Sequence, residues 1–317
     1  MRSATLLGRT SQFCDDLVAF ARSYLIGSRL ATKKTSMRDG PIVRVRRLRR
    51  RSDDPHAERR EALAAVTPYL ALVRAPLYPS APVATGPEIV VATYNVHRWT
   101  GVGTRGGGAD PERAAFVISE LGADVLALQE VIRPFAGEDP LIRLADRLRL
   151  HLAFVTTRIH RHGELGNAIL SRWPITSASL LDLNFSRIER RTAVAAQFAS
   201  SAGPLSLVAT HLAIVDRTRH RQVRHLLDHP QLQGPVLLLG DMNLWRPNDK
   251  ATRTLEAELP THSEIDWPAS FPAARPVLAL DRIYARGAKV LEVRAHQSPA
   301  ARRASDHLPV VARVALL

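Results

Sequence analysis

From residue 88 onward, short apolar runs end again and again in a carboxylate, an amide or an imidazole. EIVVATYN closes on Asn95, DVLALQE on Glu130, LSLVATH on His211 and PVLLLGDMN on Asp241 and Asn243. Asp281 opens DRIY, and Asp306 and His307 stand just before LPVVARV. Runs of this length, rich in valine, isoleucine and leucine, read as buried strands. One polar residue at a strand end is ordinary, because strand ends emerge into water. A series of them is not, and it constrains the fold: if the strand ends meet at one edge, they assemble oxygen donors beside two histidines.

Helical segments separate these strands. Asp110 and Pro111 supply an N-cap and a proline at the first helical position ahead of a helix through Leu121. LIRLADRLRL is amphipathic, with its arginines on the wet face, and the segment from Arg217 to Leu227 forms another helix. HLAFVTT, NAILSR, AVAAQF, LALDRIYAR, AKVLEVRA and LPVVARVAL complete the strands. The order implies an α/β sandwich, and no internal repeat is evident.

The first 87 residues read differently. Phe13 to Leu30 fits an amphipathic helix, RVRRLRRRSDD runs from Arg44 to Asp54, and residues 55–77 fit one more helix broken by Pro68. Pro76, Pro79, Pro82, Gly86 and Pro87 oppose regular structure and suit a linker. We therefore expect residues 1–87 to be a helical or partly disordered basic extension and linker, and residues 88–317 to be the catalytic region. The formal charge of +14 is concentrated in the extension, which carries 16 basic and 7 acidic side chains. Such charge favours polyanions, so the arginine run either binds phosphates or forms a solvated tail.

Several chemistries are excluded. Cys14 is the single cysteine, so there is no intramolecular disulfide and no thiolate-rich zinc site. A reducing compartment fits. Apolar stretches fall short of the ~20 residues that span a bilayer, and Asp15 and Asp16 interrupt any secretory signal core, so a cytoplasmic protein is expected. HExxH and GxxxxGK[ST] are both missing, and the glycine-rich segment 101–110 has no lysine at the helix entrance, so it reads as a surface loop. What remains is a set of hard oxygen donors with imidazoles. Metal-assisted phosphoester cleavage needs that mixture: ligands for Mg²⁺ or Mn²⁺, a base for water, and donors for the developing negative charge.

TYNVHR, LQEV, GNAILSRWPI, THL, GDMN, LDRIY and SDHLPV, in that order, resemble the endonuclease/exonuclease/phosphatase superfamily over residues 88–317. The resemblance implies a four-layer sandwich of two mixed β-sheets flanked by helices, with the active site at one end of the sheets and Mg²⁺ or Mn²⁺ as cofactor. It also implies roles. Glu130 would be the principal metal ligand, supported by Asn95 and Asp306. Asp241 and Asn243 would align the attacking water or the phosphate, with Asp241 a candidate base. His307, held in its tautomer by Asp281, would contact the scissile phosphate or exchange a proton, and His211 would stabilise phosphate charge or protonate the leaving oxygen. His97 departs from the pattern, since some relatives carry an acidic metal ligand there.

Other residues have two readings. Asn167 either orients substrate or forms a Gly-Asn turn. His160 and His162, among Arg158 and Arg161, form an exposed basic loop or touch a substrate phosphate. Trp99, Trp173 and Trp245 read as packing residues, and an aromatic content of 5% offers few stacking surfaces. VLALDRIY lacks the Pro-Ala-Trp stretch of the superfamily's inositol phosphatases. The expected activity is hydrolysis of a phosphodiester, with nucleic acid or a phospholipid headgroup as the phosphate-ester partner. The alternative is a module that uses its basic tail to bind nucleic acid or anionic membrane. Nothing implies a stable protein partner.

Overall fold

A computed structural model of the chain describes residues 56–80, 85–102, 109–186, 189–246, 249–261 and 265–317. The helix expected over Phe13–Leu30 and the arginine run at 44–54 lie outside the described residues. Two sheets are present among them. One has seven strands in the order β1-β4-β5-β3-β2-β12-β11, and the other has five in the order β10-β9-β8-β7-β6. The first combines β1 (Tyr69–Arg74), β2 (Glu88–Asn95), β3 (Val125–Pro134), β4 (His151–His160), β5 (Gly163–Ser171), β11 (Ala288–Ala295) and β12 (Val310–Leu316). The second combines β6 (Ser177–Asp182), β7 (Thr192–Ser200), β8 (Gly203–His211), β9 (Val236–Asp241) and β10 (Asp281–Arg286). Each sheet is mixed: β2 and β3 run parallel, as do β8 and β9, while the remaining pairs are antiparallel.

Alternation along each strand divides the core into three apolar zones. Ile89, Val91, Val125, Ala127, Leu207, Ala209, Leu237 and Leu239 meet between the sheets. Ala92, Tyr94, Leu126 and Leu128 face the other way, against helices α2 (Pro111–Glu120) and α3 (Pro140–Leu148). On the far side, Val208, Val236 and Leu238 pack on α4 (Asp216–Leu227) and α5 (Lys250–Glu258). The result is four layers, helix–sheet–sheet–helix, as expected. Strands covered on both faces need apolar residues at nearly every position, which is why their sequences run almost without polar interruption until the end.

The N-cap expected at Asp110 is present, and a second one is found at Asp139. Asp110 accepts from Arg113 N, with Pro111 in the first turn of α2, and Asp139 accepts from Leu141 N and Ile142 N before Pro140 of α3. A shorter helix, α6 (Ala301–Ala304), precedes β12.

The segment on either side of Pro68 differs from expectation. Helix α1 (Ala57–Val66) ends before it, and Tyr69–Arg74 is a strand paired antiparallel with β4, not more helix. The sheet thus begins ahead of the boundary drawn at residue 87. YLALVR carries helix-forming leucine and alanine, but pairing with the open edge of β4 satisfies its backbone and overrides local propensity.

Candidate active site

Strand register puts the polar ends of the five-stranded sheet in a row. His211, the last residue of β8, pairs in register with Asp241 at the end of β9, and Asp241 pairs with Asp281 at the start of β10. Their strands send Leu207, Ala209, Leu237, Leu239, Ile283 and Ala285 into the space between the sheets. A period of two therefore aims His211, Asp241 and Asp281 at the same space. Asn95 ends β2 in the same phase, four residues after Val91.

Glu130 reaches this space by a different device. Leu128 pairs with Ala168 and Val131 with Gly166, so Gln129 and Glu130 together oppose Asn167 in a β-bulge. Glu130 takes φ of 51°, a left-handed conformation uncommon outside glycine. The extra residue resets the alternation, and Val131 returns to the helix side of the sheet. The Glu130 carboxylate ends with Oε1 4.0 Å from His211 Nδ1 and Oε2 3.4 Å from Arg98 Nε.

The loop before β12 delivers the remaining groups. Ser305 Oγ donates to Asn95 O at 2.6 Å and His307 N donates to Ser305 Oγ at 3.2 Å, fixing the Asp306–His307 pair at the end of β2. His307 Nδ1 lies 2.8 Å from Asp281 Oδ2, which also accepts from Ser270 Oγ at 2.6 Å. Its other nitrogen, Nε2, lies 3.6 Å from Asp241 Oδ2, and His211 Nε2 lies 3.3 Å from the same oxygen. Asn95 Nδ2 donates to that oxygen too, at 3.1 Å, while Asn243 N donates to Asp241 Oδ1 at 3.1 Å. Asn243, itself at φ of 51°, fixes its side chain by donating from Nδ2 to Leu212 O at 2.9 Å.

The electrostatics follow from this geometry. Burial pushes the Asp241 carboxyl up to about 7, the Asp281 charge adds to the rise, and His307 with the Asn95 and Asn243 hydrogen bonds pulls against it. Burial alone would lower the proton affinity of His307, but Asp281, Asp241 and Asp306 outweigh it and raise it well above the ordinary histidine value. His211 is held well below that value by burial, with repulsion from Arg191, His307 and Arg158 in support. One imidazole is therefore charged and the other neutral.

Carboxylates of two kinds are present. Asp241 and Asp281 are buried and share His307 as a partner, whereas Glu130 and Asp306 keep 26% and 34% of their side chains exposed. Asp241, Asp281 and His307 have ligand atoms within 4.8 Å of one another, which would suit a metal by distance alone. Mg²⁺ and Mn²⁺ favour oxygen donors and retain waters, so the wetter pair, Glu130 and Asp306, fits such an ion better than a dry set containing an imidazole. The Asn95 side-chain oxygen accepts from His97 N at 3.0 Å and keeps one lone pair for a further partner.

Other expected positions are also placed. Asn167 lies inside β5, not in a turn; it is buried, and its Nδ2 donates to Thr192 O at 2.9 Å across the two sheets. His97 sits in a 3-10 turn, His97–Trp99, with Nδ1 3.6 Å from Asp306 Oδ1 and Nε2 2.8 Å from Arg98 Nη2. His160 is the last residue of β4, and Arg161 and His162 form the turn of the β4–β5 hairpin. Trp99 and Trp173 are core residues, the first donating from Nε1 to Ile132 O at 2.8 Å and the second stacked 5.5 Å from Phe198. Trp245 meets Phe271 edge-on at 6.0 Å, and Phe271 lies 4.9 Å from the His307 ring. Sequence reasoning missed Arg98 and Arg191; the Arg98 of TYNVHR and the double arginine before β7 were the available signals. Among the described residues no helix is long and apolar enough to cross a membrane.

Comparison with known proteins agrees with this geometry. Residues 92–307 match the Endonuclease/Exonuclease/phosphatase family. The chain is 27% identical to Uncharacterized protein YbhP of Escherichia coli K12 over 251 residues, covering 71% of this chain and 96% of that one. Among solved structures, it is similar to an endonuclease/exonuclease/phosphatase of Beutenbergia cavernae, with a TM-score of 0.57, 24% identity and 72% of each chain covered. It is also similar to Danio rerio TDP2 complexed with single-strand DNA product, with a TM-score of 0.54, 17% identity and 72% and 98% covered. The human Nocturnin catalytic domain with bound sulfate anion gives a TM-score of 0.56, 20% identity and 74% and 97% covered. Two mixed sheets that bring the strand-end carboxylates and imidazoles together, and a family match spanning most of both, lead to one conclusion: this chain belongs to the endonuclease/exonuclease/phosphatase family.

Proposed function

We propose that the protein is a Mg²⁺- or Mn²⁺-dependent phosphodiesterase that acts on nucleic acid or a phospholipid headgroup. The observation that carries this reading is the convergence of His211 Nε2 and His307 Nε2 on one buried carboxylate, Asp241, at 3.3 and 3.6 Å, with the half-buried carboxylates Glu130 and Asp306 in the same site. Glu130 and Asp306 would hold the ion, with Asn95 in support. When bound, the ion supplies Lewis-acid stabilisation of the phosphoryl oxygens.

The protein groups divide the remaining work. Asp241, whose proton affinity sits near 7, takes the proton of the attacking water at neutral pH. The water oxygen bonds to phosphorus and the ester P–O bond breaks. His307 is charged and anchored through Nδ1 to Asp281, so it is the group able to pass a proton to the leaving oxygen. His211, neutral, donates a hydrogen bond to the phosphoryl charge. Asn243, locked on Leu212 O and on Asp241, holds the water's approach.

Support for a nucleic-acid substrate comes from TDP2, whose solved complex contains single-strand DNA product; a sulfate bound to Nocturnin supports a site for a tetrahedral anion. The single cysteine supports a reducing, cytoplasmic setting. A binding module without catalysis would work through the arginine run, outside the described residues. Hydrolysis of bis-p-nitrophenyl phosphate with added Mn²⁺ tests the reading: turnover should appear with the ion, vanish with EDTA, and vanish in Glu130→Ala and His307→Ala.

A further inference from the structure

A group of arginines outside the convergent carboxylates and imidazoles stands on the rim of the same space. Arg158 pairs in register with Leu165, and Leu165 shares a strand face with Asn167, two residues on. Asn167 reaches between the sheets to Thr192. A second bulge, between Thr156 and Arg158, makes Thr157 the extra residue, and Thr157 Oγ1 lies 2.5 Å from Thr192 Oγ1 on the other sheet. The contact ties the two sheets together one residue from Arg158 and one residue from Arg191. Arg191 in turn donates from Nε to Leu212 O at 3.1 Å, the same carbonyl that holds Asn243, and lies 3.6 Å from Glu189 through Nη2. Arg98 completes the group, on Glu130.

Charge is left over here. Arg158 is exposed and makes no hydrogen bond or ion pair among the described residues. Glu130 is the carboxylate whose field acts on it, while Arg191 and Arg98 repel it. The same concentration of positive charge helps to hold His160 down at about 4, after burial, so the imidazole next to the rim stays neutral. Like charges gathered at the mouth of a site are stabilised by an anion. One phosphate is already accounted for by the catalytic groups.

Resting on the proposed phosphodiesterase activity, we infer that Arg98, Arg158 and Arg191 form a subsite for a second phosphate of the substrate, which makes the preferred substrate a nucleic-acid strand. A lipid headgroup with a single phosphodiester leaves this subsite idle. A strand presents a flanking phosphate next to the scissile one and uses both.

Calorimetric titration of the full-length protein with thymidine 3′,5′-bisphosphate and with thymidine 5′-monophosphate reads the subsite without turnover. The wild type should bind the bisphosphate at least ~10-fold tighter, as expected for an added charge-assisted phosphate contact. Arg158→Gln should reduce that preference to about twofold, whereas Arg172→Gln, which removes the Asp124 partner at the other end of β5, should keep it. Equal binding of the two nucleotides by the wild type, or an undiminished preference in Arg158→Gln, overturns the subsite. So does binding of glycerophosphoglycerol as tight as that of the bisphosphate, which would favour a lipid headgroup. Failure of the wild type to hydrolyse bis-p-nitrophenyl phosphate would sink the phosphodiesterase reading by itself, while the nucleotide titration still decides the subsite.

Discussion

Asp281 and His307 are joined by a 2.8 Å contact between Oδ2 and Nδ1, and both are buried. The pair fixes the orientation of the imidazole and leaves Nε2 facing Asp241. Asp281 also accepts from Ser270, so the carboxylate itself cannot rotate away. A histidine in this setting carries its proton into the neutral range because the aspartates around it outweigh the cost of burial.

Removing the anchor should therefore lower the proton affinity of His307. In Asp281→Asn, the His307 resonances should titrate at lower pH by NMR, and kcat should fall by roughly 10- to 100-fold, the usual loss when a supporting carboxylate is removed. An unchanged titration would show that Asp281 does not set the charge of His307.

Acid should destabilise the fold through the neutral histidines. His211 lies well below the ordinary value of 6.5 when folded, and His160 lies at about 4. Below about pH 6.5 the unfolded chain binds protons that the folded chain refuses, so stability falls as pH drops from there to the folded values. Deprotonation of His307 acts in the opposite sense, removing stability as pH rises through its raised folded value. The Asp241 carboxyl, raised to about 7, gains a proton in the folded chain over the same range and opposes this fall, so the readout is a difference. In thermal melts on going from pH 7.5 to 5, His160→Gln should lose less Tm, or gain more, than the wild type. The same pH dependence of Tm in His160→Gln and the wild type would contradict this assignment.

The bulge at Glu130 trades stability for function. A left-handed non-glycine residue costs about 1 kcal/mol or more, and glycine relieves most of that. Glu130→Gly should raise the urea midpoint while abolishing calorimetric Mn²⁺ binding. A lower midpoint would mean that the carboxylate holds the bulge together rather than straining it.

Arg219 is fully buried at the entrance to α4 and holds Ala213 O, Ile214 O, Asp216 and Asp249, the loop that follows His211 included. Arg219→Met strands Asp249 in a largely buried position and should cost about 3 kcal/mol, the low end for breaking a buried pair. Urea denaturation measures it; a change within ~0.5 kcal/mol, typical of surface substitutions, would contradict the staple.

Much of the fold was legible because strands buried on both faces must be apolar until they end, so Asn95, His211, Asp241 and Asp281 announced their own positions. The helix cap at Asp110 was legible from its local sequence, whereas the cap at Asp139 was not read. β1 was not, since YLALVR becomes a strand only through its pairing with β4. β6, SASLLD, is a sheet edge with weak alternation and was equally hidden. In the site, the direction of Glu130 depends on a one-residue register shift that no composition reveals. Arg98, Arg158 and Arg191 come from separate segments, Arg158 and Arg191 beside the Thr157–Thr192 contact and Arg98 on Glu130, so the sequence showed Arg158 only as part of a basic loop and not the grouping.

The most direct measurement is the Mn²⁺-dependent hydrolysis of bis-p-nitrophenyl phosphate by the wild type, Glu130→Gln and His307→Gln. The account requires EDTA-sensitive turnover in the wild type and a loss of at least ~100-fold in each variant, with far-UV circular dichroism unchanged. Wild-type turnover that survives EDTA, or full activity in both variants, would contradict it.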